Sequence, residues 1–152
     1  MTAGLAALAR TANRRREQAF AHFHDRFRKD PLVLDKWMGL QAMSPQPDTV
    51  DRVRALMGHP VFSLKNPNRV RALVGAFALG NPLRFHGGAG AGYRLVREVV
   101  QTLDSINPQT AARMAAAFET WRRYDPARQQ LMRAELEAIA ARQGLSANLY
   151  EV

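Results

Sequence analysis

Four histidines are the side chains best suited to bind a metal or to exchange protons near neutral pH: His22, His24, His59 and His86. Only His22 and His24 are close in sequence, and at positions i and i+2 of a helix they point about 200° apart. They do not form the i, i+4 pair of a His-Glu-x-x-His zinc motif, which occurs nowhere in the chain. Because cysteine is absent, thiolate metal sites and cysteine nucleophiles are also excluded. We expect no metal site, and histidines that are exposed or hydrogen-bonded.

Acid–base and phosphate chemistry find little support in the remaining residues. We interpret Asp35, Glu98 and Asp104 as charges on helix surfaces, because no carboxylate pair or Ser–His–acid set is evident from the sequence. The glycine-rich run at residues 87–92 has neither the spacing nor the preceding strand of a dinucleotide site. We therefore expect a flexible linker there and no catalytic residue in this chain.

The charge of the chain is strongly basic. Lys and Arg number 22 against 13 Asp and Glu, which gives a net charge of +9. Such a balance is compatible with nucleic-acid binding, but a piece of a larger protein need not be balanced by itself. The arginine runs at residues 14–16 and 122–123 are interpreted as solvated faces, since neither belongs to a recognisable nucleic-acid-binding motif.

Four helix starts are announced by an Asx residue directly before proline. The side chain of Asp or Asn accepts hydrogen bonds from the first turn, and proline at the first helical position lacks only an N–H that would stay unpaired. The four pairs are Asp30-Pro31, Asn66-Pro67, Asn107-Pro108 and Asp125-Pro126. Apolar residues at helical spacing follow, and we expect the helix after Asn107 to continue through Met114, Phe118 and Trp121.

The helix pattern covers most of the chain. Further helices are expected at about 13–29, 31–43, 48–57 and 92–105. Alternate starts recur at roughly the 34 to 47 residue period of helical-pair repeats. We therefore predict an all-α fold: one domain over residues 1–152, a superhelical stack of antiparallel helix pairs of HEAT or armadillo type, with about eight helices. The one long connection expected is residues 81–92.

Short motifs in a fixed order give the pattern its specificity. They are Leu34-Asp35-Lys36-Trp37, Asn66-Pro67-Asn68-Arg69, Gly75-Ala76-Phe77, Asn81-Pro82, Phe85-His86, Gly92-Tyr93, Asn107-Pro108-Gln109, Arg123-Tyr124-Asp125 and Leu149-Tyr150-Glu151. In this order and near-spacing they resemble the C-terminal region of the bacterial aminopeptidase N family. The resemblance covers about residues 30–151 and is weak over residues 1–29.

This resemblance implies a C-terminal fragment of a larger multidomain zinc aminopeptidase, a protease that removes N-terminal residues from peptides. Its zinc and catalytic residues would belong to an upstream catalytic domain, so the fragment would carry no cofactor and would be inactive alone. The expected partners are that catalytic domain and, in the parent, peptide substrates. No membrane is expected, nucleic acid is disfavoured, and the location expected is cytoplasmic.

The same resemblance implies a substrate-channel role for Gln109, Arg113 and Arg71, which look like residues that face the family's internal cavity. Gln109 and Arg113 are i and i+4 on one helix and share a face, and arginine suits carboxylates of a peptide or of a facing domain. For Arg71, an ordinary ion pair is an equal alternative. For the chain as a whole, the alternative is an independent basic helical scaffold that binds an acidic protein or nucleic acid.

Overall fold

The computed structural model describes residues 2–11 and 14–152, and their regular structure is entirely helical. The elements are α1 (Thr2–Ala9), α2 (Arg14–Phe27), α3 (Pro31–Ala42), α4 (Thr49–Met57), α5 (Pro67–Val70), a π-helical segment (Arg71–Gly75), α6 (Ala76–Gly80), α7 (Pro82–Phe85), α8 (Ala91–Asp104), α9 (Pro108–Ala115), two 3-10 turns (Ala116–Phe118, Trp121–Arg123), α10 (Pro126–Ala140) and α11 (Ala147–Tyr150). The all-α prediction is confirmed. If residues 67–80 are counted as one helix, the described residues form ten, of which α7 and α11 are single turns, so the predicted number is close.

All four Asx-Pro signals begin a helix, as predicted. The Asp30 side chain accepts hydrogen bonds from the backbone N–H groups of Leu32 and Val33, at 3.1 and 3.3 Å. Asn66, Asn107 and Asp125 cap α5, α9 and α10 in the same way. A helix therefore starts where the sequence supplies an acceptor for the otherwise unpaired donors of its first turn.

The chain divides into two compact units, Met1–Arg84 and Phe85–Val152. In the first unit, α3 packs against α1, α2, α4, α6 and the π-helical segment. The helix formed by residues 67–80 comes close to α3, because a Cβ added at Gly39 would lie 3.4 Å from the carbonyl oxygen of Ala72. The larger apolar core residues of this unit are Phe20, Phe23, Leu34, Trp37, Met38, Val53, Leu56, Val70, Leu73, Val74 and Phe77.

In the second unit, α8 packs against α9 and α10, and α11 packs against α9. The larger core residues are Phe85, Tyr93, Leu95, Val96, Val99, Val100, Leu103, Met114, Phe118, Met132, Ile139 and Leu149. Asp104 is buried at the end of α8 and accepts a hydrogen bond from the backbone N–H of Ser146 at 3.0 Å and one from its hydroxyl. The prediction that Asp104 is a surface charge is wrong, because this carboxylate holds the start of α11.

Two boundaries differ from the prediction. Helix α9 ends at Ala115, and Trp121 lies in a separate 3-10 turn, half-buried, with the Arg122 guanidinium 4.9 Å from its ring centroid. The chain must change direction before Asp125 begins α10, and Asp125 itself is extended, as a residue before proline prefers to be. The continuous helix predicted through Trp121 is therefore wrong.

The long connection predicted at residues 81–92 is shorter than expected, because α7 occupies Pro82–Phe85. Gly88 and Gly90 take positive φ angles of 62° and 81° in the remaining turn, a conformation that glycine adopts at little cost. Hydrogen bonds from the Arg94 side chain to the Ala89 carbonyl (2.9 Å) and from Arg128 to the His86 carbonyl (2.9 Å) hold the turn.

Candidate functional site

One face of α9 carries two of the three predicted site residues. Gln109 and Arg113 are both exposed, whereas Thr110, Ala111 and Met114 on the other face are buried in the second unit. Neither Gln109 nor Arg113 makes a side-chain hydrogen bond or an ion pair with another described residue. The α9 face, as we call the exposed pair Gln109 and Arg113, therefore offers an amide and a guanidinium that nothing in the described chain occupies.

The third predicted residue, Arg71, belongs to the first unit and opens the π-helical segment. Its side chain is exposed and donates a hydrogen bond to the side-chain oxygen of Asn68. Together with Leu32, Asp35 and Ala72, these two residues line a shallow pocket of about 420 Å³. Short π-helical segments within an α-helix are frequent at functional sites. Here the π-helical segment Arg71–Gly75 begins at the arginine itself.

Four large apolar side chains of the first unit are exposed to solvent, and one of them, Leu32, lies beside Arg71. Leu32 is 74% exposed and Leu79 is 60% exposed, and Met43 and Leu83 are also largely exposed. Leu32 lines the Arg71 pocket, and Met43 lies against Gly80, the residue after Leu79. Apolar patches of this kind are typical of interaction surfaces. We call Leu32, Met43, Leu79 and Leu83 the apolar stripe.

A buried arginine joins α2 to the start of α4. Arg16 is only 5% exposed, and its guanidinium contacts Asp48 at 2.5 Å and Glu17 at 3.1 Å. Arg52 pairs with the same Glu17 and donates a hydrogen bond to Gln41 at 3.1 Å. The hydrogen bond from Arg16, opposed by burial, leaves the pKa of Asp48 below its usual range. The interpretation of Arg16 as part of a solvated face is wrong, because its guanidinium pairs with the carboxylate of Asp48, 32 positions away.

A second ion pair joins α3 to the helix of residues 67–80. Arg69 is buried, and its guanidinium contacts Asp35 at 2.5 Å and the Pro31 carbonyl at 3.1 Å. Asp35 is half-buried, so the prediction of a plain surface charge is wrong. The pair fixes the part of the first unit from which Arg71 extends.

The histidines are exposed or packed against other rings. His22 is exposed, as predicted. His24 and His59, far apart in sequence, come together with ring centroids 4.8 Å apart. In the second unit, His86 Nδ1 lies 2.7 Å from the Tyr93 hydroxyl. No local pattern in the sequence indicates the contact between His24 and His59.

Residues 2–11 and 14–152 contain no group of three or more His, Cys, Asp or Glu side chains that is arranged to hold a metal ion. The donor set of this part of the chain therefore does not fit a zinc site. In the same residues, no helix is both long enough and apolar enough to cross a bilayer.

Residues 1–152 match a family model described as "Domain of unknown function (DUF3458_C) ARM repeats". The chain is 49% identical over 137 residues to aminopeptidase N of Caulobacter vibrioides, and the alignment covers 90% of this chain and 16% of that protein. It is 41% identical over 154 residues to aminopeptidase N of Escherichia coli, with 99% of this chain and 18% of that protein covered. The chain thus spans less than a fifth of the length of these relatives.

Among solved structures, the chain is similar to an aminopeptidase A from Legionella pneumophila in complex with aspartic acid. The TM-score is 0.92 at 33% sequence identity, and the match covers 99% of this chain and 17% of that one. These similarities confirm the predicted armadillo-like class. They also extend the resemblance, which the motifs had supported only from about residue 30, to nearly the whole chain.

Proposed function

Because this chain belongs to the DUF3458_C family of ARM-repeat domains and is a C-terminal domain of the aminopeptidase N type, we propose that it is the non-catalytic part of a zinc aminopeptidase. In this proposal the domain walls and gates an internal chamber in which peptides lose their N-terminal residues, and it buttresses the catalytic domain. The relatives are about six times as long as the aligned part, as shares of 16% and 18% imply. That leaves ample chain to supply the catalytic machinery.

The observation that carries the chamber role is the α9 face. Gln109 and Arg113 are exposed without a side-chain hydrogen bond or ion pair among the described residues, so the guanidinium and the amide are free to meet an incoming group. A guanidinium forms forked, charge-assisted hydrogen bonds to carboxylates, and a peptide always ends in one unless it is blocked. We propose that Arg113 and Gln109 contact peptide, or the facing domain, in the parent enzyme.

Arg71 is also proposed to face the chamber of the parent enzyme. Its hydrogen bond to the Asn68 side chain holds the guanidinium without neutralising it, because Asn68 carries no charge. The nearby Asp35 is already paired with Arg69, so the charge of Arg71 stays available to a ligand.

The buttressing role rests on the apolar stripe. Leaving side chains such as Leu32 and Leu79 exposed forgoes the free energy of their burial, about 1.5 to 3 kcal/mol for each side chain when fully buried. We propose that the catalytic domain of the same parent covers this stripe. That domain would also hold the zinc, since the described residues here hold no suitable ligand set, and the enzyme would act in the cytoplasm.

The test measures alanyl-anilide hydrolysis by the 152-residue chain, by the full-length parent, and by parent variants Gln109→Ala and Arg113→Ala. Gln130→Ala and Arg123→Ala are matched controls, because both side chains are exposed in the same unit. We expect no turnover by the chain alone, and a kcat/KM lowered about tenfold by each site variant, which is the loss of one charge-assisted hydrogen bond. The controls should match the unmodified parent.

Two results would contradict the proposal. Turnover by the pure chain would refute a non-catalytic domain, and site variants that match their controls would remove Gln109 and Arg113 from the chamber. Tight binding of the chain to nucleic acid, weakening steeply with salt, would instead favour the independent basic scaffold.

A further inference from the structure

The basic charge of the chain is concentrated in its first unit. Residues 1–84 contain 14 Lys and Arg against 6 Asp and Glu, which leaves +8, whereas residues 85–152 contain 8 against 7, which leaves +1. No Asp or Glu occurs between Asp51 and Glu98, a stretch that contains eight Lys and Arg. An excess of one sign in one unit favours a partner of the opposite sign.

The same unit exposes a face made by two neighbouring helices, α3 and the helix of residues 67–80. A Cβ added at Gly39 would lie 3.4 Å from the carbonyl oxygen of Ala72, and one added at Gly80 would lie 3.4 Å from Met43 Sδ. Because the later residue of α3 meets the later residue of the second helix, the two helices run in the same direction. The seam between them is therefore a continuous surface.

Two pockets open at this seam. The Arg71 pocket of about 420 Å³ is lined by both helices, and a second pocket of about 280 Å³ is lined by Lys36, Gly39, Leu40 and Met43. The side chains at positions 32, 36 and 43 are exposed and lie one and two turns apart on α3. They span about 16 Å, which is the length of three turns of helix. Rows of side chains at this spacing suit the packing of a further helix.

The unneutralised charges beside the pockets are positive. Lys36 is exposed and pairs with no carboxylate among the described residues. Arg84, in α7, donates through Nε to the Pro45 carbonyl at 2.6 Å, and this neutral acceptor leaves its charge uncompensated. Asp35 is the one acidic side chain among the described residues that line either pocket, and it is already paired with Arg69. The face therefore combines exposed apolar side chains with two cations.

We propose that this face binds an acidic amphipathic helix of the parent's catalytic domain. The apolar side chains of that helix cover the apolar stripe, and its carboxylates face Lys36 and Arg84. The inference rests on the proposed function and specifies the chemistry of the segment that docks. Exposed leucines favour a protein over a nucleic acid, because phosphate binding is electrostatic and needs no apolar surface. The two charge pairs fix the register of the docked helix.

The first experiment measures the binding of fluorescent peptides to the 152-residue chain by anisotropy. It is run at about 0.1 M salt, where charges more than about 10 Å apart are screened. The probe is a stapled helix of about three turns, with leucine at every third or fourth position and two glutamates beside the leucines. Matched probes carry glutamine or lysine in place of glutamate, or serine in place of leucine.

We expect the glutamate probe to bind about tenfold more tightly than the glutamine probe, and the lysine and serine probes not to bind. Equal affinity for the glutamate and lysine probes would overturn the proposal. So would the absence of binding below millimolar concentration, or tighter binding of a single-stranded oligonucleotide than of the glutamate probe.

A charge reversal then locates the site. Lys36→Glu changes the face, and Lys65→Glu is the matched control, because Lys65 is exposed in the same unit and lines neither pocket. Both variants have the same net charge, so only a local contact separates them. We expect Lys36→Glu to weaken the glutamate probe about fivefold and the control to change it less than about twofold. Equal weakening would show that the probe responds to total charge, which would contradict a defined site.

The full-length parent separates this inference from the proposed function. If the catalytic domain covers the face, the parent should not bind the glutamate probe, and Lys36→Glu should lower the Tm of the parent but not that of the isolated chain. A parent that binds the probe as tightly as the chain does would refute the catalytic domain as the occupant. That result would leave the chamber role standing, since Gln109 and Arg113 belong to the second unit and are tested by kinetics.

Discussion

In the second unit, His86 combines contacts to aromatic rings with a hydrogen bond at its ring and another at its backbone carbonyl. Its Nδ1 lies 2.7 Å from the Tyr93 hydroxyl, its ring stacks on Tyr124 with centroids 4.0 Å apart, and its carbonyl accepts from Arg128. Burial, and then the nearby positive charge of Arg128, lowers the pKa of His86, while burial raises the pKa of Tyr93 to about 12. The folded state therefore holds both rings neutral at pH 7.

A neutral imidazole in the folded state makes stability depend on pH. Because the pKa of His86 is lower in the folded chain than in the unfolded one, the unfolded state binds more protons as the solution is acidified. The stabilisation is present above about pH 6.5, the unfolded value, and is lost as the pH falls from there through the folded pKa. We expect the urea midpoint to fall between pH 8 and pH 5, and His86→Gln to flatten that fall.

His59, whose pKa is also lowered by burial, contributes to the same fall, so His86→Gln should leave part of it. His22→Gln is the matched control, because His22 is exposed and in the first unit. If the urea midpoint fell as steeply with pH in His86→Gln as in the unmodified chain, His86 would not contribute to the pH dependence of stability.

Buried charges are the residues that sequence reasoning misjudged. The residue type and local spacing of Arg16 and Asp104 match those of solvated helix positions, and their partners lie 32 and 42 positions away. Only the tertiary fold brings such groups together, and it then pairs them because an unpaired buried charge is strongly unfavourable. The same reasoning explains why the contact between His24 and His59 could not be anticipated.

At the scale of elements, the four helix starts at Asx-Pro pairs are encoded locally, whereas the end of α9 is not. Asp30, Asn66, Asn107 and Asp125 begin helices because each carries its own acceptor for the first turn. The end of α9 at Ala115 has no such local signal. It depends on where the following chain must run to reach α10, which periodicity does not report.

The cap at Asn107 should be measurable in the stability of the whole second unit. Its Oδ1 accepts from the Thr110 N–H at 3.1 Å, and Asn107→Ala removes this acceptor at the start of the helix that carries Gln109 and Arg113. We expect a loss of about 1 kcal/mol in the free energy of unfolding. Urea denaturation monitored by circular dichroism at 222 nm measures it.

Asn148→Ala is the matched control for the cap, because Asn148 is exposed within α11 and caps no helix. It should change stability by less than about 0.5 kcal/mol, as is usual at surface positions. Equal losses in the two variants would show that the Asn107 side chain contributes nothing as a cap.

At the scale of the whole molecule, the fold class and the family followed from the sequence, and the interaction surfaces did not. Motifs in a fixed order and apolar residues at helical spacing predict the ARM-repeat class, because both can be recognised from the order of residues along the chain. The members of the apolar stripe, such as Leu32 and Leu79, could not be named from the sequence because they are ordinary helix residues. Whether they face a core or solvent depends on the neighbours of their helix. The chamber roles of Arg71, Gln109 and Arg113 stay predictions.

If the apolar stripe is normally covered by a catalytic domain, the 152-residue chain alone should bury it by self-association. We expect a concentration-dependent dimer in sedimentation velocity that the double variant Leu32→Ser with Leu79→Ser weakens at least tenfold, because each leucine contributes about 1.5 kcal/mol or more when buried. Tyr150→Ser, at a side chain 81% exposed in the second unit, is the control and should dimerise normally. The full-length parent should not dimerise through this surface. The prediction is wrong if the chain stays monomeric at high concentration, or if the leucine substitutions leave the dimer unchanged. Either result would mean that the apolar stripe is exposed without being a binding surface for another domain.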